Sequence, residues 1–175
     1  MRSSWFHSPE LACSPKESTF RQYRDTRFSE DKSPLKTHIA AVFPPRGFPR
    51  HSGAGAYFQI DGQEVWIGGG LYRPEPPRLY KVREHIASNY TRLRAIVESP
   101  SFKKAFGSVT GDTLTRVPKG FPADHPAAAF LKYKDLIVSR TFPASLATTP
   151  RFYATLVASL RDTAPFIRFL NEPLR

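Results

Sequence analysis

Tyr57-Phe58-Gln59-Ile60-Asp61-Gly62-Gln63-Glu64-Val65-Trp66-Ile67 is the stretch that sets the architecture of this chain. Asp-Gly accepts the positive backbone angles of a tight turn, so residues 57–60 and 64–67 are expected to pair as an antiparallel hairpin. Gly68-Gly69-Gly70 then closes the second strand. Working outward, residues 37–43 (Thr-His-Ile-Ala-Ala-Val-Phe) read as a further strand, ended by Pro44-Pro45-Arg46-Gly47. Phe20-Arg21-Gln22-Tyr23-Arg24 alternates apolar and polar side chains as a half-buried strand does. Residues 25–34 are polar and run into Pro34, which reads as a loop. Residues 1–19 mix Ser, Pro and charge without periodicity and read as a poorly ordered lead-in.

Beyond the glycines the pattern turns helical. Pro76-Pro77 can open a helix, and Leu79, Val82, Arg83 and Ile86 give it one stripe. Asn89 or Ser88 is expected to cap a second helix through Leu93, Ile96 and Val97. Ser99-Pro100 starts a third, with Phe102 and Phe106 on one face. Asp124-His125-Pro126 opens another, with Ala127, Phe130 and Leu131 turned inward. Residues 135–141 read as one more strand. Thr149-Pro150 caps a final helix with a buried stripe of Phe152, Tyr153, Leu156, Val157 and Leu160, and Pro165 is expected to kink or break it. The sum is an α+β fold: one domain over residues 20–175, an antiparallel sheet packed against several C-terminal helices.

The chain has 175 residues, enough to bury a core without a metal or disulfide staple. Phenylalanine occurs 14 times and methionine once, so the core should rest on rigid aromatics. Cys13 is alone, which excludes an intramolecular disulfide and makes a reducing compartment the default. No apolar run approaches a membrane span and no secretory signal is present, so a cytoplasmic protein without a membrane partner is expected. The net charge of +11 invites a nucleic-acid partner. That charge is spread over residues 16–50, 72–104 and 105–175, with no basic block, which favours a generally cationic surface over a dedicated polyanion binder.

Three clusters could carry chemistry. Arg24, Asp25, Arg27, Lys32, Lys36 and His38 lie within fifteen residues. The guanidinium forks of Arg24 and Arg27 suit a phosphate or carboxylate, and His38, on the same strand face as Lys36, could carry a proton. The competing reading is a self-neutralising loop in which Asp25 and Asp31 pair with the cations. Gly68-Gly69-Gly70 with Tyr72 could present backbone amides to an anion, or could simply be a strand end or bulge. Arg116 and Lys119 lie on a proline-rich loop that delivers His125 to a helix start, where an anion is favoured; a plain capping turn is the alternative. No HExxH, paired CxxC or regular histidine spacing supports a metal, and no GxSxG supports a common hydrolase, so no cofactor is expected. Tyr23, Tyr57, Trp66 and Tyr72 could stack on bases, although aromatics on strands more often face a core.

These residues resemble a known family. The stretch 20–38, the run Gly68-Gly69-Gly70-Leu71-Tyr72-Arg73-Pro74, and Pro118-Lys119-Gly120-Phe121 followed by His125-Pro126-Ala127 are similar to the family catalogued as domain of unknown function 2461. Leu131-Lys132-Tyr133-Lys134, Ser139-Arg140 and Phe166-Ile167-Arg168-Phe169-Leu170-Asn171 continue the likeness over about residues 20–171. The resemblance implies an α+β fold and brings no activity or cofactor. The family pattern implied by the resemblance retains Arg24, Asp25, Arg27, Asp31, Lys32, Lys36, His38, the glycine triplet, Lys119, Gly120 and His125. Members usually carry an N-terminal helical segment before the strand that begins at Phe20, and residues 1–19 do not look like it. The expectation is a binder of an anionic or phosphorylated small molecule held by Arg24, Arg27, Lys36 and Lys119. If it is an enzyme, His38 or His125 would be the proton carrier, with Asp25 orienting or accepting. A nucleic-acid module or a protein-interaction domain is the alternative.

Overall fold

Asp61 closes the hairpin with its side chain as well as its backbone. Its Oδ1 accepts from the backbone N–H of Gln63 at 2.8 Å and of Glu64 at 2.9 Å, while its own N–H donates to the Glu64 carbonyl at 3.0 Å. Those two backbone donors hold the carboxyl below its ordinary range. The turn joins β2 (Gly55–Ile60) to β3 (Glu64–Leu71). In the computed structural model, which describes residues 18–20, 37–45, 47–49 and 52–175, β1 (Ile39–Phe43) pairs with β2, and β4 (Leu136–Pro143) pairs with β3. The sheet order is β1-β2-β3-β4, antiparallel throughout. Outside β1, Thr19 bridges Ala41 and the Phe20 N–H donates to the Ala40 carbonyl at 3.0 Å. The rest of the strand expected at 20–24, the loop at 25–34 and the lead-in up to residue 17 lie outside the described residues.

The glycine triplet does not end β3, as its sequence suggests, but lies within it, paired on both sides. Gly68 sits opposite Tyr57 and Ser139, Gly69 opposite Ala56 and Val138, and Gly70 opposite Gly55 and Ile137. Two of these positions need glycine for visible reasons. A Cβ on Gly69 would stand 2.9 Å from Ile167 Cδ1, so a helix packs against bare backbone. Gly70 has φ +135°, and a Cβ there would stand 2.0 Å from the Leu136 carbonyl oxygen.

The helices follow their stripes. α1 (Pro76–Ser88) buries Leu79, Val82, Arg83 and Ile86, the stripe the sequence shows. α2 (Tyr90–Val97) and α3 (Pro100–Phe106) follow, and the Ser99 hydroxyl caps α3 by accepting from the Phe102 N–H at 3.3 Å. α4 is short (Ala128–Leu131) and α5 long (Phe152–Asn171). α5 packs on the face of the sheet formed by Ala56, Val65, Ile67, Gly69, Leu71, Leu136 and Val138, where its Phe166, Phe169 and Leu170 complete the core; α3 packs against β4, and the other helices gather around these two. Among the described residues no helix is long and apolar enough to cross a membrane.

Several capping and packing expectations are corrected. Asn89 stands at the α2 start, but its Nδ2 turns back to donate to the His85 carbonyl at 3.0 Å. Asp124 is not a cap: α4 starts four residues later, and His125 Nδ1 accepts from the Ala127 N–H at 3.0 Å. Thr149 donates to the Leu146 carbonyl at 2.8 Å, closing the preceding 3-10 turn instead of opening α5. α5 also runs through Pro165 unbroken. One missing N–H is outweighed there by burial of Phe166, Ile167, Phe169 and Leu170 just beyond it. The buried stripe of α5 is accordingly Leu156, Ser159, Thr163 and that apolar group, and Tyr153 is 49% exposed.

The C-terminal turn is tied back to α1 and α2 by charge. Arg92 forks onto Glu172 at 2.8 and 2.9 Å, and His85 Nε2 lies 3.1 Å from Glu172 Oε2. Asn89 Nδ2, already given to the His85 carbonyl, also approaches His85 Nδ1 at 3.2 Å. An amide nitrogen only donates, so Nδ1 accepts and the neutral ring carries its proton on Nε2, toward Glu172. The ring packs 4.6 Å from Phe169. Burial pushes this imidazole below its ordinary value of 6.5, with Arg92 acting in the same direction against the pull of Glu172. Glu172 is itself held below the ordinary carboxylate value of 4.5, chiefly by Arg92.

The signs give two windows. A histidine whose folded value is depressed stabilises the fold above 6.5, and that contribution is lost as the pH falls through the folded value, because the unfolded chain takes up the proton first. Glu172 contributes above 4.5 and is lost only at more acidic pH. The melting temperature should therefore fall between pH 7.5 and 5, and His85→Gln should flatten that fall while leaving the acid limb below pH 4.5 in place. Calorimetric or circular-dichroism melts across this range would show it. An unchanged slope in His85→Gln would remove the imidazole from the account.

Candidate functional site

Among the described residues, the helices α1 to α5 lie on one face of the sheet. On the other face Val42 of β1, Tyr57 and Gly55 of β2, Trp66 and Gly70 of β3 and Ile137 of β4 surround a cavity of about 470 Å³. Phe20 and Pro44 border it on the β1 side, Gly53 lines it just before β2, and Tyr72, 60% exposed, stands where the chain leaves β3. That volume is in the range of small-molecule sites, which are concave, mostly apolar and provided with a few polar groups.

The hollow has a local cause. Trp66 packs edge-on against Tyr57 at 5.4 Å, and Phe20 packs edge-on against Tyr57 at 6.2 Å, so three rings are locked on one side. Further along the same face β3 carries Gly68 and Gly70, and the backbone of Gly70 and of its ladder partner Gly55 lines the cavity. Gly69 lines the cavity as well, with backbone in place of a side chain. Among the described lining residues the polar side-chain groups are the phenols of Tyr57 and Tyr72 and the indole N–H of Trp66. Tyr57 Oη donates to Gln59 Oε1 at 2.9 Å. Burial, and then the neighbouring Tyr72 phenol, push its ionisation up, so it stays a neutral hydroxyl at physiological pH.

The wall before β2 is fastened from behind. Asn171, 2% exposed at the end of α5, accepts from the Ala54 N–H at 2.8 Å and donates to the Ala54 carbonyl at 2.9 Å. A Cβ on Gly53 would stand 2.7 Å from Asn171 Oδ1. Arg78 Nη1 of α1 donates to the Ser52 carbonyl. Both neighbours of Ala54 line the cavity, so the helical layer sets the position of this wall.

The residues expected to carry function separate. Arg24, Asp25, Arg27, Lys32 and Lys36 lie outside the described residues. The strand expected to begin at residue 37 starts at Ile39, which leaves His38 before it, close enough to Asp61 to depress that carboxyl slightly. His38 is thus at the hairpin end of the sheet, and the cavity is toward the other end. Arg116 and Lys119 are exposed, on the loop whose Phe121 packs 5.8 Å from Tyr80 of α1. His125 spends Nδ1 on the Ala127 N–H. None of these four lines the cavity; Gly69, Gly70 and Tyr72 do. The triplet's amides face β2 and β4 in the two ladders, not an open nest. Sequence reading passed over Phe20, Val42, Ile137 and Asn171, and treated Tyr57 and Trp66 only as possible base-stacking groups. A cluster of three or more His, Cys, Asp or Glu side chains able to hold a metal does not occur among the described residues.

The family model described as conserved hypothetical protein, domain of unknown function 2461, matches residues 5–169. The chain belongs to that family. The match takes in residues ahead of Phe20, and its description names no reaction, ligand or partner. No curated protein and no solved structure matches the chain. For this member of the 2461 family, function must therefore be read from its own geometry.

Removing the Asn171 amide would leave the N–H and C=O of Ala54, itself fully buried, without partners. Asn171→Ala should cost about 2–6 kcal/mol, since each of the two stranded buried groups forfeits roughly 1–3 kcal/mol. Urea unfolding with unchanged m-value is the measurement. A loss below half a kcal/mol would show that the wall holds without the clamp.

Proposed function

We propose that this domain binds a small molecule in the cavity on the open face of its sheet, the ligand placing an aromatic or apolar body against Tyr57, Trp66 and Tyr72. The observation that carries this reading is the cavity itself: about 470 Å³, walled by aromatic rings and glycine backbone, and fixed from behind by a buried amide clamp. A pre-shaped apolar site gains affinity because little is left to order when the ligand arrives. The cationic character of the chain, +11 in all, supports a ligand that also carries an anionic or phosphorylated group. Arg24, Arg27 and Lys36 are candidates for that group on sequence grounds alone. Lys119 drops from this set, as it lies on the α1 side.

Binding is favoured over catalysis by what lines the site: its titratable groups among the described residues are two phenols. A nucleic-acid platform is less well supported. The Tyr57 and Trp66 rings meet each other edge-on and form a wall, whereas base stacking needs flat, open ring faces.

The neutral fluorophore N-phenyl-1-naphthylamine tests the cavity without any help from charge. Its emission should rise on adding the native protein, and Val42→Trp, which grows into the hollow from β1, should abolish the rise while preserving a cooperative melt. Equal emission with native and Val42→Trp protein would mean that the dye, and the proposed ligand, sit elsewhere. With a true ligand at 100 times its dissociation constant the fold should gain about 2.7 kcal/mol, visible as a shifted melting temperature.

A further inference from the structure

Arg73 follows Tyr72 of the cavity wall and holds a conformation that few residues adopt. Its φ is +42°, and among the described residues no other non-glycine has positive φ. Left-handed backbone is tolerated by glycine and, less readily, by asparagine; for a long side chain it is a strained choice that persists where the surroundings impose it. Here the imposing group is Asp135, whose Oδ1 accepts from the Arg73 N–H at 2.6 Å across the end of the β3–β4 ladder. The carboxylate is thereby spent on backbone. The guanidinium is left to lie 5.3 Å from the centroid of the Tyr72 ring, the exposed ring of the cavity wall, and it makes no ion pair among the described residues. No cation lines the cavity among the described residues. A guanidinium stacked on a ring of an apolar hollow, with no ion pair among the described residues, suits a planar group carrying a negative end.

We infer that Arg73 is the anion-recognising residue of the site, and that the ligand class is an aromatic acid: a flat ring seated among Tyr57, Trp66 and Tyr72, with its carboxylate, sulfonate or phosphate on the Arg73 guanidinium. The inference rests on the cavity reading above and deepens it. The turn at Arg73 joins β3 to α1, and the exposed guanidinium lies against the Tyr72 ring. Tyr72 is shared by both halves of the site: one contact with the ring-lined hollow, one with the cation.

Two dyes of nearly equal shape separate the halves. 8-Anilinonaphthalene-1-sulfonate carries the anion, and N-phenyl-1-naphthylamine lacks it. With the native protein at low salt the sulfonate dye should bind more tightly than the neutral one, and Arg73→Gln should weaken the sulfonate dye about tenfold, as expected for losing one charge-assisted pair at a partly exposed site, with the neutral dye unchanged. Arg73→Gly should show the same selective loss and melt at a higher temperature than Arg73→Gln, because glycine releases the positive φ. Both titrations are read against Val42→Trp to subtract dye held elsewhere on a cationic surface. If the neutral dye binds in the cavity but Arg73→Gln and Arg73→Gly leave the sulfonate dye's affinity unaltered, Arg73 is not the anion site and the cavity reading stands. Failure of both dyes to bind the native protein in a manner sensitive to Val42→Trp would overturn both.

Discussion

The structure turns on the absence of side chains at the centre of β3. Gly69 lets Ile167 of α5 press against the sheet backbone, a contact that any Cβ would block at 2.9 Å. On the reverse face, the backbone of Gly70 and of its ladder partner Gly55 lines the cavity. One short sequence feature therefore does two things through one strand: it draws the longest helix close and gives the hollow opposite a wall of bare backbone. Pairing on both sides keeps so bare a strand in register, since β2 and β4 each match it residue for residue. Packing on the helical face makes good what glycine forfeits in chain entropy.

The fold was largely legible because its signals are local. Asp61-Gly62 names a hairpin by turn chemistry, and the stripe Leu79, Val82, Arg83, Ile86 names a buried helix face by periodicity. Misreadings came where tertiary contacts outvote local preference. Pro165 says "break" to its own helix, but the neighbours that would leave the core if it broke are Phe166, Phe169 and Leu170, all essentially fully buried. Asp124 and Thr149 have the chemistry of caps, yet the helix starts were decided further on, by the positions at which Ala127 and Leu156 could be buried.

The candidate site was far less legible, for a physical reason. Sequence reading looks for charge density and for histidine, and the dense charge at residues 24–38 drew the eye. A cavity made by rings and by missing side chains leaves no such mark. Phe20, Val42, Tyr57, Trp66 and Ile137 come from four strands and a bridging segment, and nothing in their spacing says that they share a face and a void. The glycines did give a sign, but an ambiguous one, since the same triplet could serve an anion nest, a bulge or a close helix contact. Only the register resolves it, by showing the amides turned to both ladders. Arg73 was quoted within its run but passed over, because a backbone angle is not written in a residue's name.

The helical layer and the open face are not independent, and Asn171 shows how they are joined. It lies 117 residues from Ala54 in the chain, yet its one amide satisfies both backbone groups of Ala54, between two residues that line the cavity. The next residue, Glu172, is gripped by Arg92 and approached by His85. The end of α5 is thus fixed twice within two residues, once by charge on the helical side and once by a buried amide toward the site. An apolar cavity binds well only if its walls hold their shape when empty, for otherwise the ligand must order them at the expense of affinity. In this molecule that rigidity comes from the core side, through the helix that the glycines of β3 allow to come close.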